Sequence, residues 1–472
     1  MKVLLPASEV APIIKLGGLG DVVGALPKAL EKIGVNVDVI VPFFPFAKTE
    51  NLNLYKSMEL YVPYEGDNHM VEVFKTKLPA SNVDVFLLKN SEYFLEYGKK
   101  DKPSPVSEVE TFSFFDRAVV EFIKSGFNTY DLIHCNDWHT GLITHLLSDE
   151  LEAERPATLF TVHNLLYQGI SSADLVNDVG LIPGIHPLLD WDIADGDINF
   201  MQQGITSSDF VNTVSPSYAK EILTDEYGAN FTDILQAREG RLTGILNGID
   251  YSAFPRSYNE TNWETYKPNF KKDLIKQFEL DNAGDKPIFA FVGRLDPNQK
   301  GLDILCESMP DILDLDVNFV MLGDGDPIWR DRLIEISNKP KYKGKFGIKL
   351  AFDLELAKLM YAGSDFLVVP SRYEPCGLIQ MISMWYGTVP VVRDTGGLKD
   401  SVKEGITGIK FTDYKSKSLF EAVSKAKDVF NGPEMKKMID NAIRENFGWE
   451  KSAASYNDLY KKVVQLRQEA LK

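Results

Sequence analysis

A chain of 472 residues is too long for one ordinary domain, and about 150 residues per domain allows two or three, each with its own core. Apolar residues at 44% and charged ones at 25% exclude a disordered, collagen-like or coiled-coil chain. Lys plus Arg is 51 against 68 Asp plus Glu, a net charge of −17 that repels phosphate backbones and anionic lipid, so neither a nucleic-acid nor a membrane partner is expected.

The start, MKVLLPASEVAP, carries one Lys and an apolar run too short for a signal peptide, and no 18-residue apolar stretch predicts a membrane span. Short strand-like runs follow at Lys2–Leu5, Val37–Val41, Val83–Leu88, Asp131–His134, Thr158–Val162 and Phe210–Val214. Helical patterns over Ala25–Ile33 and Thr111–Lys124 lie between them. The stretch Tyr251–Asp285, polar and holding Pro255 and Pro268, predicts irregular chain, with a linker near residues 245–265. The rhythm then restarts at Ile288–Val292, Val317–Leu322, Ile348–Ala351, Phe366–Val369 and Val389–Val392, with a helix over Ala357–Ala362. A last helix from about Ser452 to Lys472 has the apolar spacing Tyr456, Leu459, Tyr460, Val463, Val464, Leu466. The pattern predicts an α/β chain of two Rossmann-like doubly wound domains, facing each other across a cleft at the carboxyl ends of their strands. Three distant cysteines, Cys135, Cys306 and Cys376, exclude a disulfide framework and fit a reduced, cytoplasmic setting.

Several loops carry chemistry. Lys15, Gly17, Gly18, Gly20 and Asp21 offer glycine amides and an ammonium to a phosphate, although the spacing is neither GxGxxG nor a P-loop. A tight strand-to-helix turn explains the same glycines equally well. His134-Cys-Asn-Asp-Trp-His139 and Thr161-Val-His-Asn164 end two strands, where Asp or His side chains bond sugar hydroxyls or simply cap helices. The six histidines (69, 134, 139, 145, 163, 186) show no HExxH or His–carboxylate spacing, so no metal site is expected. Arg294 and Lys300 follow a strand and suit a diphosphate clamp. Pro370-Ser-Arg-Tyr-Glu-Pro-Cys-Gly-Leu378 delivers Glu374 into a turn before a helix, and Thr395-Gly-Gly397 follows the next strand.

Together these segments resemble the bacterial glycogen synthase and plant starch synthase family of glycosyltransferases. The motifs are Lys15-Leu-Gly-Gly-Leu-Gly-Asp-Val22, Asp137-Trp-His139, His163-Asn164, Asn247-Gly-Ile-Asp250, Gly293-Arg-Leu295, Gln299-Lys-Gly-Leu-Asp303, Glu374-Pro-Cys-Gly-Leu378 and Thr395-Gly-Gly-Leu398. They run in family order over nearly the whole chain. The resemblance implies the GT-B arrangement, with domains at 1–245 and 246–450 and a helix at 451–472 crossing back onto the first. It implies retaining transfer of glucose from ADP-glucose to the non-reducing end of an α-1,4-glucan. UDP-glucose as donor, or another retaining GT-B transferase, is the alternative; such relatives often carry a second Glu eight residues after the first, where this chain has Ile382. No cofactor and no metal are implied, so activity without a divalent cation is expected, with Lys15, Arg294 and Lys300 meeting the diphosphate charge. Carried over by position, Lys15, Gly17 and Gly18 contact donor phosphate, and Thr395, Gly396 and Gly397 complete the cradle. Asn247, Cys376 and Gly377 belong to the donor site. Glu374 and His163 hold the transferred glucose, with Glu374 facing the cleft and dispensable for folding, and Asp137 lies near the reacting centre. Tyr97, at the end of Tyr93-Phe-Leu-Glu-Tyr97, stands for a tyrosine near the donor.

Overall fold

The computed structural model describes residues 1–95, 97, 106–281 and 286–472. Glu96, within the Tyr93–Tyr97 motif, and Asp285, at the end of the expected irregular stretch, lie outside the described residues. The chain forms two units: Met1–Val214 with Ala219–Gly248 and Trp449–Lys472, and Ile249–Gly448 with Ser215–Tyr218.

The first unit is built on β1 (Lys2–Pro6), β2 (Asn36–Pro42), β3 (Tyr55–Tyr64), β4 (Asp67–Lys77), β5 (Asp84–Lys89), β6 (Leu132–Asn136), β7 (Ala157–Val162), β8 (Ile170–Ser172), β9 (Asp197–Asn199), β10 (Phe210–Thr213) and β11 (Leu242–Gly244). Nine of these make one sheet in the order β11-β10-β7-β6-β1-β2-β5-β4-β3, while β8 and β9 pair separately. From β11 to β5 all pairs are parallel, and β4 and β3 add antiparallel. Strands such as Val3-Leu4-Leu5 are apolar throughout because helices cover both sheet faces. The helix Glu108–Lys124 starts at a reciprocal cap, Ser107 Oγ accepting from the Glu110 amide (3.2 Å) and Glu110 Oε2 from the Ser107 amide (2.7 Å). The final helix Trp449–Ala470 buries Ala453, Tyr456, Leu459, Tyr460 and Val463 within this unit. Its Tyr460 hydroxyl lies 2.8 Å from His134 Nδ1, and its Tyr456 hydroxyl accepts from Asn212 Nδ2 at 3.0 Å.

The second unit is a wholly parallel sheet of β12 (Ile288–Val292), β13 (Asn318–Leu322), β14 (Phe346–Lys349), β15 (Phe366–Val369), β16 (Val389–Arg393) and β17 (Ile409–Phe411), in the order β14-β13-β12-β15-β16-β17.

Several expectations change, and the first helix runs Gly18–Lys32, starting seven residues before the expected Ala25. The stretch Tyr251–Asp285 is not irregular, for Trp263–Gln277 is a helix with Pro268 inside it. Its low apolar content hid it. It is held by buried Leu274 and by buried Lys267, whose Nζ donates to Ala362 O (3.0 Å) and Thr388 Oγ1 (2.8 Å). The strand expected at Ile348–Ala351 begins two residues earlier, because Phe346 pairs with Phe319. The β3–β4 hairpin was not foreseen; Glu65 and Gly66, at φ 52° and 79°, make the positive-φ turn that matches strand twist. No described helix is long and apolar enough to cross a membrane.

Candidate active site

In the second unit the strand order reverses between β12 and β15, the point at which open parallel sheets bind ligands beyond their carboxyl ends. The loop after β12 carries Arg294 and Lys300, and the loop after β15 carries Glu374. Gly301 closes them together: its φ is +67°, and a Cβ there would lie 2.0 Å from the Pro370 carbonyl. Lys300 Nζ donates to Glu374 Oε2 at 2.8 Å, with Ser371 Oγ on the same oxygen at 2.9 Å and Gln299 Nε2 on Oε1 at 3.4 Å. Glu374 is 5% exposed. The expectation was a carboxylate facing the cleft; the side chain is instead a buried acceptor bonded by residues of two loops. Arg294 is exposed and pairs with no carboxylate among the described residues.

The loop after β16 joins the same place. The Gly397 amide donates to the Glu374 carbonyl at 2.9 Å, and a Cβ on Gly397 would meet the Cys376 carbonyl at 1.9 Å. Thr395, Gly396, Gly397, Cys376 and Gly377 therefore stand together around the Glu374 turn, and Gln380 Nε2 anchors it through Cys376 O (3.2 Å) and Gly377 O (2.9 Å).

The first unit has its own reversal, between β1 and β6. After β1, Lys15 makes an exposed ion pair with Asp21 at 2.7 Å. Glu9, buried beneath the loop, accepts from the Gly17 amide at 2.8 Å, so this amide is committed to a carboxylate. A Cβ on Gly20 would lie 2.7 Å from the same carboxylate, whereas Gly18 has nothing within 4 Å. After β6 comes Asp137, with φ 57° and ψ 178°, a conformation that ordinarily costs a residue other than glycine about 1–3 kcal/mol. Its Oδ1 accepts from the amides of His163 (2.7 Å) and Asn164 (3.3 Å). Burial raises the Asp137 carboxyl to about 7 against the pull of those two amides, and Glu9 adds to the rise.

Asn136 sets the tautomer of His163. Its Nδ2 donates to Pro6 O (3.2 Å) and His134 O (2.9 Å), which turns Oδ1 toward His163 Nε2 at 2.9 Å. A carbonyl oxygen only accepts, so Nε2 carries the proton and Nδ1 keeps its lone pair. Burial holds the ring neutral by lowering its pKa to about 3. His163 is thus an acceptor at Nδ1.

The remaining residues divide. Tyr97 stacks on Phe44 with ring centroids 4.6 Å apart, and its hydroxyl donates to Glu108 Oε1 at 2.8 Å. Asn247 is buried in the first unit, its Oδ1 without a hydrogen-bond partner among the described residues. His139 stacks on Trp138 with centroids 4.1 Å apart. His134 is structural, bonded to Tyr460 and to Thr161 Oγ1 at 2.7 Å. Glu9, Asn136, Gln299 and Ser371 escaped sequence reasoning: Asn136 and Gln299 work through partners 27 and 75 residues away, while Glu9 and Ser371 bond near neighbours in loops with no pattern to mark them. The expectation of no His–carboxylate spacing is also corrected: His145 and Asp149, four residues apart on the helix Gly141–Leu151, gather with His186.

Each of the two Rossmann-type units thus carries charged loops at the reversal of its sheet, where ligands of such folds bind. The family model for the starch synthase catalytic domain matches residues 2–237, and that for glycosyl transferases group 1 matches residues 273–445. The chain is 38% identical to a glycogen synthase of Thermosipho africanus, over 99% of this chain and 100% of that one. It is 37% identical to one of Geotalea daltonii, over 98% and 99%. The catalytic domain of starch synthase IV from Arabidopsis thaliana, bound to ADP and acarbose, superposes with a TM-score of 0.88 at 29% identity, covering 98% of this chain and 99% of that one. Sucrose-phosphate synthase from Thermosynechococcus elongatus shares the fold, with a TM-score of 0.61 at 18% identity over 98% of both chains. The chain belongs to the glycogen and starch synthase family of hexosyltransferases.

Proposed function

We propose that the chain transfers glucose from ADP-glucose to the non-reducing end of an α-1,4-glucan, with retention at the anomeric carbon. The observation that carries this reading is the convergence of Arg294, Lys300, Glu374 and the Thr395–Gly397 loop at the reversal of one parallel sheet. The likeness to a starch synthase bound to ADP and acarbose favours the adenine nucleotide over UDP-glucose.

The chemistry follows from charge. As the bond from C1 to the diphosphate oxygen breaks, negative charge grows on the diphosphate and positive character on the ring. Arg294 and Lys300 neutralise the first, with Lys15 on the donor phosphates. Glu374, already oriented by Ser371 and Gln299, holds glucose hydroxyls, and His163 Nδ1 accepts from another. The acceptor hydroxyl attacks C1 and its proton leaves with the diphosphate. The three cysteines are buried thiols, none of them in a disulfide, and this fits a cytoplasmic reaction.

Turnover of ADP-glucose against UDP-glucose on a glycogen primer tests the reading. Faster ADP release supports it, and equal or reversed rates refute the donor assignment. Replacing Arg294 by alanine should lower kcat about 10²–10³-fold. Lys15→Ala should raise the donor KM and leave stability unchanged, since an ion pair as exposed as Lys15–Asp21 contributes about 0–1 kcal/mol. Wild-type kinetics in either variant, measured at limiting donor, would remove that residue from the site.

A further inference from the structure

Away from the residues assigned to transfer, three metal-ligating side chains meet in the first unit. His145 and Asp149 project from one face of the helix Gly141–Leu151, and His186 directly precedes the short helix Pro187–Asp192. One ligand atom from each lies within 4.8 Å of the others. His145 Nε2 is 3.5 Å from Asp149 Oδ1, and His186 Nε2 is in contact with that oxygen.

The surroundings prepare His145 for a metal. Gln203 Nε2 donates to Asp192 Oδ2 at 2.6 Å, so its Oε1 is left to accept from His145 Nδ1 at 2.7 Å. With the proton held on Nδ1, the lone pair of Nε2 points toward Asp149. His145 is 3% exposed, and its Nε2 has no hydrogen-bond partner among the described residues. An imidazole lone pair thus faces a carboxylate oxygen with no proton of its own to share, and a cation between them relieves the clash of two acceptors. The chain His145–Gln203–Asp192 is the kind of outer support that fixes tautomer and ring direction in metal centres. His186, one-third exposed at its side chain, leaves the cluster a path to solvent.

We propose that His145 Nε2, Asp149 Oδ1 and His186 Nε2 bind one divalent transition-metal ion, zinc by ligand preference, as a clasp on the segment between β7 and the helix Phe200–Ser207. Two imidazole nitrogens and one carboxylate oxygen are the ligand set of a borderline cation and not of Mg²⁺ or Ca²⁺. Zinc bonds of about 2.1 Å give tetrahedral edges near 3.4 Å, close to the separation of His145 from Asp149 and reached by His186 through a side-chain adjustment. The fourth position is open to water. The clasp is structural. It joins the segment that starts at His163 and Asn164 to the helix that begins just after Asp137-Trp-His139, at Gly141, where a Cβ would lie 2.0 Å from Phe200 O.

The test is equilibrium dialysis of the metal-stripped full chain against zinc, with bound metal counted and thermal unfolding followed. Wild-type protein should retain one zinc per chain and gain about 5 °C in Tm at a zinc concentration a hundredfold above Kd. Asp149→Asn and His186→Ala should each retain less than a tenth as much and lose the Tm gain, while His69→Ala behaves as wild type. His186 is one-third exposed and outside the core, so its removal is not expected to unfold the chain, and circular dichroism checks this. A wild type that retains no zinc overturns the proposal, as does a His186→Ala protein that binds zinc as the wild type does.

Discussion

Glucosyl transfer by a Glu374→Ala variant is expected to fall at least a hundredfold, and its unfolding free energy by about 2–4 kcal/mol. Both effects have one origin. The carboxylate accepts from Lys300, Ser371 and Gln299, and it lies in a turn whose backbone carbonyl accepts from Gly397. Without it the Lys300 ammonium, 17% exposed, keeps no carboxylate within reach, and that partial exposure places the cost at the lower part of the range for broken buried pairs. Glu374→Gln retains an acceptor oxygen for Ser371 but no charge opposite Lys300, so intermediate losses are expected. Steady-state rates and urea unfolding on both variants check this. An alanine variant with wild-type rate and stability would show that the carboxylate neither holds glucose nor ties the loops.

The second large effect concerns Asp137 and pH. An unfolded aspartate titrates near 3.9, whereas burial holds this one at about 7. Below 3.9 both states are protonated. Between 3.9 and 7 the folded protein retains a proton that the unfolded chain has released, so stability from this group falls as pH rises and is lost above 7. Three pKa units correspond to at most about 4 kcal/mol. Asp137→Asn is neutral at every pH, and its Oδ1 still accepts from the His163 and Asn164 amides. The difference in unfolding free energy between variant and wild type should therefore move in the variant's favour from pH 4.5 to pH 8, read by urea titration at both. A difference that does not change with pH would mean that Asp137 titrates normally.

Much of the site was legible as motif and little of it as geometry. Glu374, Lys300 and Thr395–Gly397 stand out because glycines, prolines and charges cluster after apolar runs. That Lys300 and Glu374 are each other's partners was not legible, since they are 74 residues apart and meet only because Gly301 lets its backbone approach Pro370. Glu9 gave no signal either, being one acidic residue in a loop. Its role comes from lying beneath the Gly17 amide and close to Asp137. The helix Trp263–Gln277 was hidden by its polarity and Pro268, for its stability comes from packing rather than from its own pattern.

By itself the sequence determined the α/β class, the parallel strands and the order of the ligand loops, because apolar runs and glycine turns are local properties that any covered parallel sheet demands. Only the tertiary structure decided which side chains are engaged and which stand open: Glu374 and the Gly17 amide are paired, Arg294 is exposed and His163 Nδ1 keeps its lone pair. It alone brought His186 to His145 and Asp149, 41 and 37 residues away in the chain. Such partners lie on elements joined by strand order and helix packing, and the free energy of pairing two distant groups is written in no local stretch of residues.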